Sequence, residues 1–447
     1  SLPRTAAVRR TAPISQRIDW LTAGLVVALM VIGLFNVASA TADASTVEWF
    51  DFSGKLGKQF IWVTASLVLA FLLLVIEGEF FIRTSVIHYA VNILLLLAVL
   101  AVGKRIGGAK SWFSFGGIGI QPSEFAKTGT SLMLAWMLSR NQDRFNQWGS
   151  LFKAVAIVSV PAALVLLQPD AGTVLVFTGL ILVFYREGLS GNVLIAVLCA
   201  LLVTIATILS GASTVHYPGA GEATGAWILW VILLALGAFL WATVPQWTVP
   251  RRRKRTRRAV VFSFAAALVL SAGLQFGLEE VLRPHQRDRI HVLFGIDVGN
   301  PDADYNIRHA KAAISSGGVT GKGFLKGPMT AYGFVPEQET DFIFCTIGEE
   351  WGLLGTSATL LLFTLLLLRI LALAERQRSD FTRIYAYAVA SILFMHYAIN
   401  VGMVLGLAPV IGIPLPFISA GGSSLTGFTL LVFILLRLDA ERFTVLR

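Results

Sequence analysis

Residues 283–351 read RPHQRDRIHVLFGIDVGNPDADYNIRHAKAAISSGGVTGKGFLKGPMTAYGFVPEQETDFIFCTIGEEW. This is the longest polar interval in a chain otherwise built of apolar runs. It carries seven basic residues before Asp341 (Arg283, Arg287, Arg289, Arg308, Lys311, Lys322 and Lys326) together with several carboxylates. A long connection between apolar spans, rich in glycine and in charges of both signs, is more often a site than a spacer.

The flanking composition sets the class. Hydrophobic residues make up 55% of the chain and charged ones 14%, where a soluble domain carries about 25% charged residues. The mean hydropathy is +0.73. Apolar runs near the length of a bilayer crossing recur from end to end, which predicts an all-α, polytopic helical membrane protein. Cys199 and Cys345 lie far apart inside apolar runs without metal-ligand spacing and read as small core residues. The net charge of +10 would suggest nucleic acid in a soluble protein; here membrane orientation explains it, and no nucleic-acid partner is expected.

In chain order, the basic segment before Trp20 leads into a run over 21–40 that is too long for a signal-peptide core and reads as the first span. Further runs follow at 60–76, 86–102, 125–138, 151–167, 171–184, 192–209, 226–244, 259–282, 342–368, 384–407 and 423–438, giving about twelve spans. Arg251–Arg258 holds seven basic residues in eight and marks the cytoplasmic side. Counting from it puts both termini inside and places 103–127, 283–341 and 409–422 outside. Two of these outer loops carry several basic residues, against the usual bias of Lys and Arg to the inner side, and binding of an anionic group is the simplest reason. Polar residues gather at the outer ends of spans. Gln121-Pro122-Ser123-Glu124 opens a helix that Ser123 can cap, and Lys127 falls on the face of Glu124 for an i, i+3 pair. Gln168-Pro169-Asp170 and Thr340-Asp341 read as further helix starts, with Asn400 inside a late span. Together they suggest a polar cavity at one depth.

Seven blocks resemble the SEDS family (shape, elongation, division and sporulation), which includes RodA and FtsW. They are QPSEFAK (121–127), QPDAGT (168–173), HQRDRI (285–290), SSGGVTGKG (315–323), VPEQETDFIF (335–344), GEEWG (348–352) and GIPLPFISAGGSS (412–424). They occur in the family's order, and FCTIGEEWG resembles the elongation branch more than the division branch. The resemblance implies a peptidoglycan glycosyltransferase in the bacterial cytoplasmic membrane. It would polymerise lipid II on the outer side, beside a class B penicillin-binding protein and other elongation-complex membrane proteins. The family core has about ten spans, so 226–282 reads as an inserted hairpin in an otherwise single membrane domain over 1–447, with 283–341 as the catalytic loop. A polyprenyl-diphosphate donor calls for cations at the diphosphate and a carboxylate to take the acceptor's proton. No cofactor is fixed by these residues, and a divalent cation is left open.

The family's Asp-Pro element has no clean counterpart here. Asp297, after Phe294-Gly295-Ile296, is the first choice for the base, and Asp302, after Asn300-Pro301, the second. The candidate substrate-binding set is Glu124, Lys127, Lys110, Gln168, Asp170, Arg287, Arg289, Lys322, Thr340, Asp341 and Ser423. In it the glycines around Lys322 offer backbone N–H groups for a phosphate nest. Lipid II flipping, an FtsW-type division role and a non-catalytic scaffold are the rival readings. A carrier should show internal repeats or paired broken helices, and no convincing repeat is visible.

Overall fold

The structure, a computed structural model, describes residues 16–42, 51–52, 54–106, 109–115, 118–141, 148–212, 214–217, 221–281, 301–408 and 410–443. The chain forms two compact units, one of residues 1–189 with 306–447 and one of 190–305. Among the described residues, ten helices are long and apolar enough to cross a membrane; the chain is a multi-pass membrane protein.

The first unit is a helical bundle. Its helices are α1 (Trp20–Thr41), α2 (Lys55–Val75), the short α3 (Gly78–Arg83) and α4 (Ser85–Val102). A three-stranded antiparallel sheet follows, β1 (Lys104–Ile106), β2 (Ala109–Phe115) and β3 (Ile118–Ile120). Then come α5 (Pro122–Arg140), α6 (Trp148–Leu166), α7 (Ala171–Thr178) and α8 (Ile181–Arg186). Two further expected spans are not among the ten. The run at 171–184 is broken between α7 and α8 at Gly179-Leu180. Helix α5 is 19 residues long, about 28 Å, but carries Glu124, Lys127, Thr128, Thr130 and Ser131. It packs against α4, α6, α15 and α16 and buries most of its residues, so protein and not lipid surrounds its polar side chains.

The second unit holds α9 (Gly191–Ala212), a two-stranded hairpin β4 (Thr214–Tyr217) and β5 (Gly221–Thr224), α10 (Ala226–Thr243) and α11 (Arg253–Phe276). The hairpin read as an insertion over 226–282 packs with α9. A buried polar knot joins the three helices: Ser271 Oγ accepts from Thr207 Oγ1 at 2.9 Å and from Trp230 Nε1 at 3.0 Å.

The interval 301–341 is more helical than its glycines suggest, with α12 (Pro301–Gly317) and the single turn α13 (Pro328–Ala331). Three long helices then complete the first unit, α14 (Ile343–Glu375), α15 (Asp380–Val404) and α16 (Gly422–Ala440). At one end of this bundle Asp19 caps α1 through Thr22 N (3.0 Å) and pairs with Arg369 (2.5 Å) and Arg376 (3.3 Å). Arg376 also bonds the fully buried Asp439, which holds Gln377 (2.7 Å) and Arg442 (3.0 Å). The opposite end carries the sheet, the 328–341 segment and the 410–421 loop, and the candidate site lies there.

Helix α14 contains a break that sequence alone hides. Gly352 sits at φ 63°, ψ −157°, inside what is otherwise a continuous helix. Four backbone groups around the break bond to the 317–323 segment. Leu353 N donates to Gly318 O (2.9 Å) and Leu354 N to Val319 O (3.1 Å), while Lys322 N and Gly323 N donate to Glu349 O (3.1 Å) and Glu350 O (2.9 Å). A helix interruption in a bundle persists only when its orphaned groups find such partners. SSGGVTGKG and GEEWG are therefore one interlocked piece.

Candidate functional site

The interior end of the site is set by α5. Glu124 and Lys127 are both buried, with Glu124 Oε2 and Lys127 Nζ 2.7 Å apart, the pairing that their spacing predicts. A third member was not legible in the sequence. His396 on α15 is 1% exposed; its Nε2 lies 2.8 Å from Lys127 Nζ and its Nδ1 3.2 Å from Pro414 O. The Phe428 ring stands edge-on to His396, 4.7 Å between centroids, and under Lys127 Nζ at 4.8 Å. An ammonium has three N–H bonds, and a carboxylate, an imidazole nitrogen and a ring face surround this one. As placed, Lys127 ties α5, α15 and α16 together.

Toward the loop end, Gln121 occupies the α5 N-cap position and Pro122 begins the helix. Ser123 thus lies inside the helix and is not its cap, because proline takes the first helical position and the cap falls on Gln121 before it. Gln121 Nε2 donates to Asp170 Oδ2 (3.1 Å), and Gln121 N to Ser423 Oγ (3.1 Å), which donates to Gly119 O (3.1 Å). Asp170 caps α7, accepting from Thr173 N (3.0 Å) and Thr173 Oγ1 (2.9 Å).

Asp341 stands nearby. Helix α14 begins at Ile343 with Phe342 at its cap position, so Thr340-Asp341 precedes the helix start and does not cap it. The backbone is pinned instead: Asn400 Nδ2 donates to Asp341 O (2.8 Å) and Ile413 O (2.6 Å), and Ser419 Oγ to Thr340 O (2.5 Å). Gly412, at φ 67°, lets the loop pass the Asp341 carboxylate; a Cβ there would lie 3.0 Å from Oδ2. Burial, then the charges of Glu337 and Asp170, push the Asp341 carboxyl up to about 7. One layer thus gathers Gln121, Asp170, Thr340, Asp341, Asn400 and Ser423 over the Glu124–Lys127–His396 group.

Beside it, the ends of α1 and α2 and the 330–338 turn enclose a cavity of about 600 Å³, lined in part by Asp51, Lys55, Thr330, Tyr332 and Gln338. Lys55 pairs with Glu339 of the 328–341 segment. Gln338 Nε2 bonds Ala40 O and Thr330 O, both at 2.9 Å. The charged trio on α5 and α15 does not line this cavity.

Three candidates stand elsewhere. Lys110 Nζ donates to Leu100 O (2.7 Å) and Ala101 O (2.8 Å), closing the carbonyl end of α4. Gln168 is fully buried and donates to Leu96 O at 3.3 Å. Lys322 Nζ bonds Glu349 Oε1 (3.0 Å) and Ser316 Oγ (2.7 Å). The nest of N–H groups expected around Lys322 is not free, because Gly321, Lys322 and Gly323 all donate within the protein. The anchor there is Glu349, 0% exposed, which also accepts from Met329 N (3.0 Å), Thr330 N (2.8 Å) and Thr330 Oγ1 (2.7 Å). Its importance had no signal beyond the GEEWG motif. Asp297, Arg287 and Arg289 lie outside the described residues; Asp302 is in the first turn of α12. Among the described residues no group of three or more His, Cys, Asp or Glu is arranged to hold a metal.

Comparison with known proteins places this arrangement. The profile of the FtsW/RodA/SpoVE family, described as "cell cycle protein", matches residues 19–217 and 225–443. The peptidoglycan glycosyltransferase RodA of Treponema pallidum is 31% identical over 95% of this chain and 98% of its own length. The peptidoglycan glycosyltransferase MrdB of Escherichia coli K12 is 32% identical over 75% of this chain and 72% of its own. Among solved structures, a chain of a peptidoglycan synthase complex that coordinates polymerization and crosslinking is similar, with 25% identity, a TM-score of 0.67 and coverage of 96% and 99%. The rod shape-determining protein RodA of Thermus thermophilus shares the fold, at 24% identity, a TM-score of 0.57 and coverage of 95% and 97%.

Proposed function

This chain belongs to the FtsW/RodA/SpoVE family, and on that footing we propose that it is a peptidoglycan glycosyltransferase of the elongation type, which polymerises lipid II into glycan strands. The names of its relatives support the activity. The observation that carries it in this chain is the polar layer of Gln121, Asp170, Asp341, Asn400 and Ser423, held over a buried ion pair at one end of an otherwise apolar bundle. A membrane protein keeps such a layer, at a high desolvation cost, where a polar substrate must be met.

In the proposed reaction the acceptor sugar hydroxyl attacks the anomeric carbon of the donor. The new C–O bond forms as the bond to the diphosphate breaks, with inversion, and the diphosphate leaves with the bonding electron pair. Asp297 takes the hydroxyl proton as general base, with Asp302 as the alternative. Arg287 and Arg289 offset the charge of the departing diphosphate. Lys127 acts through the residues it holds together. A divalent cation at the diphosphate is compatible with this scheme but is not assigned ligands.

The same reading puts about twelve spans in the bacterial cytoplasmic membrane. Both termini and the 251–258 turn would be cytoplasmic, with the 283–341 interval outside. Lipid II is the substrate, and a class B penicillin-binding protein is the transpeptidase partner, beside other elongation-complex proteins. The test is purified protein with labelled lipid II, alone and with the cognate transpeptidase, read as glycan ladders. Ladders that require this chain support the assignment. Lipid II transfer between leaflets with no polymer formed would replace it with flipping.

A further inference from the structure

The turn between α10 and α11 is not used by the proposed chemistry, and it is the most highly charged segment of the chain. Of its seven cations six are arginines: Arg251, Arg252, Arg253, Arg255, Arg257 and Arg258, with Lys254. All seven are exposed, and among the described residues none has a carboxylate partner. Five of them lie in the first six residues of α11, whose apolar stretch begins immediately after, at Ala259. Successive helical residues turn by about 100°, so these five spread over about 200° of the helix circumference and not along one narrow stripe. They also sit at the positive end of the α11 dipole, where no acidic residue occupies the first turn.

Orientation in the membrane alone does not require this arrangement; a few cations in a solvated loop suffice. Here five of the seven charges lie in the same helix as the apolar span, directly before its first apolar residue. Aromatic residues of the kind found at the membrane–water interface accompany them. Trp247 is 89% exposed, and the Arg257 guanidinium lies 4.7 Å over the Trp241 ring. Arginine forks match phosphate oxygens in pairs, and juxtamembrane clusters of four to eight cations draw anionic lipid.

We propose that the 244–258 turn is a binding site for anionic phospholipid headgroups, with the lipid phosphates of the adjoining leaflet lying among the six arginines. The ligand offsets the mutual repulsion of the cations and their conflict with the helix dipole, and it fixes the depth of the hairpin in the membrane. The site is independent of the polymerase reading.

The test uses the full chain reconstituted in vesicles of phosphatidylglycerol and phosphatidylcholine, with spin-labelled lipids reporting which species is immobilised at the protein surface. The expected result is a preference for phosphatidylglycerol on the order of tenfold, falling as salt is raised. The variant with Arg252, Arg253, Arg255 and Arg257 each changed to Gln should lose most of it. Arg251, Lys254 and Arg258 remain to orient the hairpin, and labelling of Val249→Cys from one side checks that they do. Equal immobilisation of the two lipids by the unaltered protein would overturn the proposal and favour an acidic protein as the partner. A preference that survives both salt and the four substitutions would overturn it as well.

Discussion

Lys127 Nζ and His396 Nε2 lie 2.8 Å apart in the bundle interior, and this approach fixes where the imidazole carries its proton. His396 Nδ1 faces Pro414 O at 3.2 Å. A carbonyl oxygen only accepts, so Nδ1 holds the hydrogen and Nε2 accepts from the ammonium. His396 thereby links the α5 ion pair to the 410–421 loop.

The first prediction concerns that link. His396→Leu removes one of the two acceptors of the ammonium in a dry site and leaves it only Glu124 Oε2, a loss of about 1.5–3 kcal/mol for a hydrogen bond to a charged group. Its thermal midpoint should fall, and glycan polymerisation from lipid II should fall with it. His396→Gln can accept with Oε1 and donate with Nε2, and should recover most of both. Equal defects in the two variants would show that ring packing on Phe428, not the hydrogen bonds, is what His396 supplies.

The second prediction concerns the pair itself. Removing one member of a buried ion pair strands the other charge, at about 3–5 kcal/mol. Lys127→Ala should therefore abolish polymerisation and sharply lower stability. The double variant Glu124→Gln, Lys127→Met carries no stranded charge and should fold. Stability in detergent separates the two effects; a single variant with parental stability and parental glycan ladders would show that the pair has no part in the site.

The third prediction follows from Asp341, whose carboxyl is pushed up to about 7 by burial and by Glu337 and Asp170. An unfolded aspartate titrates near about 3.9, so the folded protein binds the extra proton between these values. The stabilising contribution is complete below the unfolded pKa and is lost as pH rises through about 7. Melting temperature should thus decline from acid to neutral pH more steeply in the parent than in Asp341→Asn. Parallel curves would mean that Asp341 is ionised throughout.

How far the residues announce themselves depends on how local their partners are. The Glu124–Lys127 pair and the Asp170 cap are legible because spacing of three residues fixes them on one turn. His396 is not, since a lone histidine in an apolar run reads as core and its partner is on another helix. Lys322 reads as an anion ligand until Glu349, 27 positions away, is brought against it. The helical bundle was visible in the apolar runs, but two of its helices were not of the ordinary lipid-facing kind. Helix α5 is polar because protein surrounds it, and the α7–α8 pair is interrupted.

The fourth prediction addresses the proposed base. Loss of a general base costs about 10²- to 10⁴-fold in rate. Asp297→Asn should keep expression and transpeptidase binding while polymerisation falls at least about a hundredfold. Near-normal ladders from that variant, with Asp302→Asn inactive, would move the role to Asp302.

The last prediction tests the interlock between the 317–323 segment and α14. Gly352 holds φ 63°, and a Cβ on it would lie 2.3 Å from Gly321 N and 2.7 Å from Val319 O. Both are backbone atoms, so no side-chain rotation relieves the clash, and the conformation itself is costly for any residue with a Cβ. Gly352→Ala must therefore push the segment away from the helix break. That strips the partners from Glu349 O, Glu350 O and the N–H groups of Leu353 and Leu354, and the 328–331 turn held by the Glu349 carboxylate loosens with them. The strain alone is about 1–3 kcal/mol, and the unsatisfied backbone groups add to it. Hydrogen exchange at Lys322, Gly323, Leu353 and Leu354 should rise together in this variant, with a lower melting temperature. Gly318→Ala is the control: Gly318 also has positive φ, at 58°, but a Cβ there meets nothing within 4 Å. It should show the cost of the conformation without the clash. If the two variants exchange and melt alike, backbone conformation alone accounts for the glycines, and the close fit of segment to helix contributes nothing to holding the break.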